Sequence, residues 1–127
     1  MMKRSQFKGK YKPRNPTKYK GDPNKIFYRS SWERLFMVYC DKSDNIISWS
    51  SEETKIPYTF EGKRRSYYPD FQIYMRNHEG VYQEKMIEIK PHSQRNWKIN
   101  KTKWAAARKV CEDASVEFVV LTEKELF

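Results

Sequence analysis

Tyr68-Pro69-Asp70-Phe71-Gln72-Ile73-Tyr74 and, after a turn, Val81-Tyr82-Gln83-Glu84-Lys85-Met86-Ile87-Glu88-Ile89-Lys90 are the two segments whose reading decides the fold. Strand alternation places Ile87 and Ile89 on one face of the second segment and Glu88 and Lys90 on the other. In the first, Tyr68, Asp70 and Gln72 share one face of a strand predicted to run from Tyr67 to Tyr74, with Phe71 and Ile73 opposite. Two neighbouring strands patterned in this way can bring two carboxylates and an ammonium group together. A divalent metal needs hard, anionic oxygen ligands, and a phosphodiester under attack needs a cation near its developing charge, so the trio points to metal-dependent cleavage of a nucleic acid. The same alternation also describes a half-solvated antiparallel sheet with polar residues out and apolar residues in.

Acid-x-lysine triplets are expected by chance in a chain that is 33% charged, and this chain has three. Glu53-Thr54-Lys55 precedes a strand that contains Pro57. Glu61-Gly62-Lys63 lies in a polar turn ahead of the basic run Lys63-Arg64-Arg65. Only Glu88-Ile89-Lys90 ends an apolar strand-like segment that follows a Pro-Asp.

At 127 residues the chain has room for one domain with a real core, and its 16% aromatic content means that Trp, Tyr and Phe build that core. No apolar stretch is long enough to span a bilayer and no signal-peptide pattern opens the sequence, so a soluble intracellular product is expected, with no membrane partner. Cys40 and Cys111 are far apart and lack partners at metal-binding spacing, which predicts two buried free thiols. His78 and His92 make no ligand pair, so transition-metal chemistry is not supported.

The charge is unevenly placed. Of the net +10, +8 lies between Met1 and Lys25, where nine basic residues face Asp22 alone. Tyr11, Tyr19 and three prolines interrupt this stretch, so residues 1–25 are predicted to form a basic, extended N-terminal arm ahead of a body at 26–127. Lys8, Lys10, Lys12, Arg14, Lys18 and Lys20 suit a phosphate backbone, where each cation releases condensed counterions. A solvated tail or a protein-docking arm is the alternative.

The body reads as α-β-β-β-β-α-β. Ser30-Ser31-Trp32-Glu33 opens a helix with a stripe of Trp32, Leu35, Phe36 and Tyr39, ended by Asp41 to Asn45. Strands are predicted at 46–49, 55–60, 67–74 and 81–90 as an antiparallel meander, with turns at Glu61-Gly62 and His78-Glu79-Gly80. Pro91 stops the fourth strand, and Asn100 is placed to cap a second helix whose Trp104, Ala107 and Cys111 share a face. The last strand, 116–121, arrives through that helix, so a crossover should bring it in parallel to a neighbour. Glu33 suits two jobs. It can complete a Ser-x-x-Glu capping box with Ser30, or it can reach the site of Asp70 and Glu88 from beside the apolar stripe, near Met37 and Cys40.

The order of a helical Glu, a Pro-Asp and a Glu-x-Lys resembles the PD-(D/E)XK nuclease superfamily, with its restriction-endonuclease-like core of a mixed central sheet flanked by two helices. More specifically, 9–16, 18–23 and Tyr28-Arg29-Ser30-Ser31-Trp32-Glu33, then Ile46-Ile47-Ser48-Trp49-Ser50-Ser51-Glu52, Ile56-Pro57-Tyr58, Glu88-Ile89-Lys90-Pro91 and Leu121-Thr122-Glu123, are similar to the head completion nucleases of tailed bacteriophages. The layout also resembles the TnsA-type transposon endonucleases. One departure is the short stretch Pro91 to Ile99, where that family carries a longer insertion, so no role of that insertion carries over.

The resemblance implies a DNA endonuclease acting in head completion after packaging, with Asp70, Glu88, Lys90 and Glu33 as catalytic positions. It implies Mg²⁺ (or Mn²⁺) held by Asp70 and Glu88, with the Ile89 carbonyl as a further ligand and Glu33 holding a second ion or its water. Lys90 would position the attacking water or stabilise the transition-state charge, leaving a 5′-phosphate and a 3′-hydroxyl. Lys63, Arg64, Arg65 and the arm would hold double-stranded DNA without reading sequence. Arg29 could clamp a phosphate or make an ordinary salt bridge, Tyr67 and Tyr68 could stack on bases, and Glu52 could flank the site. Phage head or connector proteins are the implied partners, in the host cytoplasm during assembly or on the virion, with oligomeric state left open. The reading from another class is a structural protein of the head or connector that binds DNA ends without cutting them. A junction resolvase of the same superfold is a third.

Overall fold

The computed structural model describes residues 8–127, so Lys3 and Arg4 of the N-terminal segment lie outside the described residues. The elements are β1 (Gly9–Lys10), β2 (Phe27–Tyr28), α1 (Ser31–Lys42), β3 (Ile46–Ser51), β4 (Ile56–Phe60), β5 (Lys63–Tyr67), β6 (Phe71–Arg76), β7 (Tyr82–Ile89), α2 (Lys98–Asp113), β8 (Glu117–Leu121) and the single turn α3 (Glu123–Leu126). The central sheet is mixed, in the order β3-β6-β7-β8. β6 runs antiparallel to β3 and β7, while β8 joins β7 in parallel after the α2 crossover, as the sequence predicted.

The single meander is corrected. The expected strand from Tyr67 to Tyr74 is two strands in two sheets: Tyr67 ends β5, which among the described residues pairs with β4 alone, and the central-sheet strand begins at Phe71. Pro69 has no amide to offer a ladder, so pairing stops there and Asp70 is left in a bend at the mouth of β6. The β4–β5 hairpin closes through Glu61 (φ 50°) and Gly62 (φ 74°), two left-handed residues of the kind a tight two-residue turn needs. Lys63, Arg64 and Arg65 therefore stand exposed on a strand.

Both faces of the central sheet are covered. Trp32, Phe36, Met37 and Cys40 of α1 pack on Ile46, Trp49, Phe71, Ile73, Ile87 and Ile89. On the other face, Trp104, Ala107 and Cys111 of α2 pack on Met86 and on Ile56, Tyr58 and Tyr67 of the hairpin. Alternation in β7 thus holds, yet Met86, Ile87, Glu88 and Ile89 are all buried, so this end of the strand is not half-solvated. Both cysteines are free and buried. No helix among the described residues is long and apolar enough to cross a membrane.

The buried face of α1 is rotated from the predicted stripe. It carries Trp32-Glu33, Phe36-Met37 and Cys40-Asp41, while Tyr39 is 48% exposed. Ser30 is the N-cap, with its hydroxyl oxygen accepting the Glu33 amide at 3.2 Å. Ser30→Ala should cost about 1 kcal/mol of stability, readable as a lower midpoint in urea denaturation at unchanged slope. In α2 the cap position is Trp97, not Asn100, which lies inside the first turn and donates through Nδ2 to the Gln94 carbonyl at 3.0 Å.

Residues 8–25 are extended with one short 3₁₀ turn, and their tyrosines are core residues. Tyr11 and Tyr19 are buried edge-on against Trp49, in the same cluster as α1, so packing runs across the 25/26 division. Asp41, fully buried, binds this segment. Its carboxylate accepts from the Tyr11 hydroxyl (2.7 Å) and the amides of Arg14 (2.7 Å) and Asn15 (2.9 Å). The Lys18 ammonium donates to the Asp41 and Ser43 carbonyls at 3.1 and 2.8 Å, capping the carbonyl end of α1.

Candidate active site

Asp70 enters the site because Pro69 ends one sheet and the central sheet begins at Phe71. Its side chain is free of strand pairing and folds toward β7, where Oδ2 accepts the Ile89 amide at 2.7 Å. Its backbone carbonyl accepts from the Glu52 amide at 3.2 Å, which ties the end of β3 to the same corner. Glu52 itself has φ of 55°, a left-handed conformation that turns the chain sharply as it leaves β3.

One carboxylate oxygen from each of Glu33, Glu52 and Asp70 lies within 4.8 Å of the others. Glu33 reaches this point from the first turn of α1. Its Oε2 accepts the Arg29 amide at 2.5 Å, one residue ahead of the cap, so the reciprocal bond of a capping box falls on Arg29 rather than on Ser30. The two jobs read for Glu33 are compatible: the residue orders the helix start and also stands among the acids. Glu52, which the sequence placed only at the flank, is inside the cluster, and Arg29 is its ion-pair partner at 3.0 Å.

Glu88 approaches from the α2 face of the sheet. It is 3% exposed and its Oε2 accepts from Trp104 Nε1 at 3.3 Å. Burial, then the charges of Glu88 and Glu33, hold the Asp70 carboxyl well above the ordinary carboxylate range, against the opposing pull of the Ile89 amide. Glu52 is shifted upward as well, by burial and by Glu33 and Glu88, with Arg29 opposing. Four crowded acids in a partly dry corner favour a cation or protons; in these terms the oxygen-only donor set suits a hard divalent ion such as Mg²⁺.

Lys90 follows directly after β7, half-buried, with its amide held by the Leu121 carbonyl at 3.0 Å. A second lysine, Lys103 on α2, shares this environment. Burial lowers its pKa first, Lys90 and Arg65 lower it further, and Glu88 and Asp70 act in the opposite sense. Its ammonium lies 5.6 Å from the centre of the Tyr67 ring. Tyr67 is 4% exposed, so it is not available for stacking on bases, whereas Tyr68 is 46% exposed. The Tyr67 hydroxyl is buried beside Glu88 and Asp70, and this burial, then their charges, pushes its pKa far up. Lys103, Trp104 and the Tyr67 hydroxyl carried no motif. Helical spacing marked Trp104 only as core, and the signal for Lys103 is that it precedes a buried residue on the helix that covers the acid-bearing strand.

Of the cations read as DNA contacts, Lys8, Lys10, Lys12, Arg14, Lys20, Lys63, Arg64 and Arg65 are exposed. Arg65 lies over the Phe60 ring at 5.6 Å. Lys18 is engaged with the end of α1 and Arg29 with Glu52.

Residues 43–123 match the family model described as TnsA-like endonuclease N terminal, a span that includes Glu52, Asp70, Glu88, Lys90 and Lys103. The chain is also 38% identical over 144 residues to a protein of Enterobacteria phage T4 named head completion nuclease, covering 94% of this chain and 93% of that protein. The match takes in nearly the full length of both chains, and the mixed sheet with its parallel last strand is the architecture expected for the family. By sequence and by the fold that holds these acids, the chain belongs to the TnsA-like endonucleases.

Proposed function

We propose that this protein is a divalent-metal-dependent endodeoxyribonuclease of the PD-(D/E)XK type that cleaves double-stranded DNA in completing a phage head after packaging. The observation that carries this reading is the meeting of the Glu33, Glu52 and Asp70 carboxylates, within 4.8 Å of one another, at the strand ends that also present Glu88 and Lys90. Asp70, Glu88, Glu33 and the Ile89 carbonyl would hold Mg²⁺ or Mn²⁺, with Glu52 beside them. When bound, the ion supplies Lewis-acid polarisation of the scissile phosphate and lowers the pKa of the attacking water.

The remaining chemistry falls to the chain. Lys90 orients the attacking water or neutralises charge on the phosphate oxygens, and Lys103 adds positive potential from the α2 side. Trp104 fixes the Glu88 carboxylate, and the Ile89 amide fixes that of Asp70. Lys63, Arg64 and Arg65 on the open hairpin, with the exposed cations of residues 8–20, would grip the duplex backbone without reading bases. The words head completion in the name of the T4 relative support a role in finishing the head; on this reading the protein would act in the host cytoplasm during assembly, against head or connector proteins, and would stay with the virion.

Supercoiled plasmid incubated with the protein should be nicked or linearised in Mg²⁺ or Mn²⁺ and left intact in EDTA. Salt-sensitive DNA binding with no cleavage in either metal would instead favour a protein that binds DNA ends as a structural part of the head. Preferred cutting of branched over linear substrates would favour a junction resolvase.

A further inference from the structure

A second cleft, about 610 Å³ in volume, opens between α2 and the chain that runs from the end of β8 into α3. Arg95, Lys101, Arg108 and Lys124 line it. None of the four forms an ion pair among the described residues, where the ion pairs are Arg29 with Glu52 and Lys85 with Glu117. The acid on its wall, Glu125, is turned back to accept from the Thr122 amide at 2.7 Å and hydroxyl at 2.9 Å. The cleft is therefore a concave surface on which four cations outnumber one acid, a field suited to a polyanion.

Two further features narrow the ligand. Trp97, 54% exposed at the start of α2, directly follows the lining residue Asn96, and its carbonyl accepts the amide of the lining residue Lys101 at 3.0 Å. A large indole left open to water beside a row of cations is the combination by which proteins bind unpaired nucleic acid, stacking bases on the ring and tracking phosphates with the cations. Clefts of roughly 300–1,000 Å³ enclose molecules of drug size, so this one admits a short stretch of one strand, and a duplex would have to lie across its mouth. Trp104 forms part of the wall and donates to Glu88, so a single side chain stands between the cleft and the acids.

We infer that this cleft holds a short unpaired segment of DNA strand next to the cut, with phosphates on Arg95, Lys101, Arg108 and Lys124 and a base stacked on Trp97. The placement next to a cut rests on the nuclease reading above; the single-strand site itself does not. It separates two jobs by shape: the open hairpin bearing Lys63, Arg64 and Arg65 takes duplex backbone, and the cleft takes a strand that has left the duplex.

The test is fluorescence anisotropy in EDTA, so that nothing is cut, with a labelled oligothymidylate and a duplex of equal length. The expected result is that Arg95→Ala with Lys101→Ala, and separately Trp97→Ala, each weaken oligothymidylate binding about tenfold and change duplex binding by less than about twofold. All three side chains are exposed, so the variants should melt as wild type does. Undetectable oligothymidylate binding by wild type, unchanged affinity in the variants, or an equal loss for oligothymidylate and duplex would each overturn the proposal. A wild type that fails to cut plasmid in Mg²⁺ or Mn²⁺ yet shows the expected oligothymidylate pattern removes the nuclease reading and leaves the single-strand site standing.

Discussion

Asp70→Asn should lower plasmid cleavage by about a thousandfold or more while leaving metal-free DNA binding within about twofold of wild type. Asparagine has nearly the shape of aspartate and can still offer an oxygen to the Ile89 amide, which Asp70 accepts at 2.7 Å. What it removes is the negative charge at the centre of the acid cluster. That charge is costly to the protein without metal, because burial, Glu88 and Glu33 all hold the Asp70 pKa up. An acid whose pKa is raised in the folded state loses stability as pH climbs from its unfolded value through its folded one, so removing it should leave the thermal midpoint unchanged or higher at neutral pH. A variant that is inactive, folded and still bound to DNA has lost chemistry alone. Lys90→Ala should fall by about a hundredfold to a thousandfold for lack of a cation at the phosphate. Cleavage by both variants at the wild-type rate would show that the activity comes from elsewhere. Glu33→Gln separates its two roles: glutamine keeps an oxygen for the Arg29 amide, so a loss of cleavage at unchanged melting assigns Glu33 to the metal.

Much of this site was legible because strand alternation is a short-range rule. Glu88 and Lys90 could be placed on one face, and the crossover to β8 followed from a helix lying between two strands. Glu52 was harder, since its position depends on the left-handed turn after β3 and on the bond from its amide to the Asp70 carbonyl, a contact between distant parts of the chain. Pro69 was the missed punctuation. Alternation runs through it as one strand over 67–74, yet a residue without an amide N–H stands between two sheets and leaves Asp70 to turn toward β7. Lys103 and the Tyr67 hydroxyl meet the acids only through tertiary packing, which no local spacing encodes. The packing of the N-terminal segment escapes the sequence for a different reason. Its lysines dominate the composition, but Tyr11 and Tyr19 decide its packing, and their partner Trp49 lies about thirty residues or more away.

Asp41→Ala should cost about 3 kcal/mol of stability, a large share of the margin of a small domain, and its first effect should be release of residues 8–25 from the body. Asp41 is at the last turn of α1, where an acid meets the negative end of the helix dipole and gains nothing from it. Its worth lies in what it accepts: the Tyr11 hydroxyl and the Arg14 and Asn15 amides, all within 2.9 Å. Alanine leaves these donors without an acceptor, and the Tyr11 hydroxyl is buried, so the cost of keeping it from solvent is no longer offset. The titration carries the same signature. Burial by itself would raise the Asp41 pKa, but the Arg14 amide, the Tyr11 hydroxyl and the Asn15 donors outweigh it and the net shift is downward. An acid with a depressed folded pKa contributes stability that is present above its unfolded value of about 3.9 and is lost as pH falls through the folded value. Wild type should therefore lose stability on acidification below about pH 4 more steeply than Asp41→Asn, measured by urea midpoints across that range. Limited proteolysis at neutral pH should cut Asp41→Ala first between Lys12 and Lys20, in the stretch that Asp41 ties down. Cleavage in the β4–β5 hairpin before that stretch would show that the segment is held by Tyr19 and Trp49 alone, and that the Asp41 network adds little.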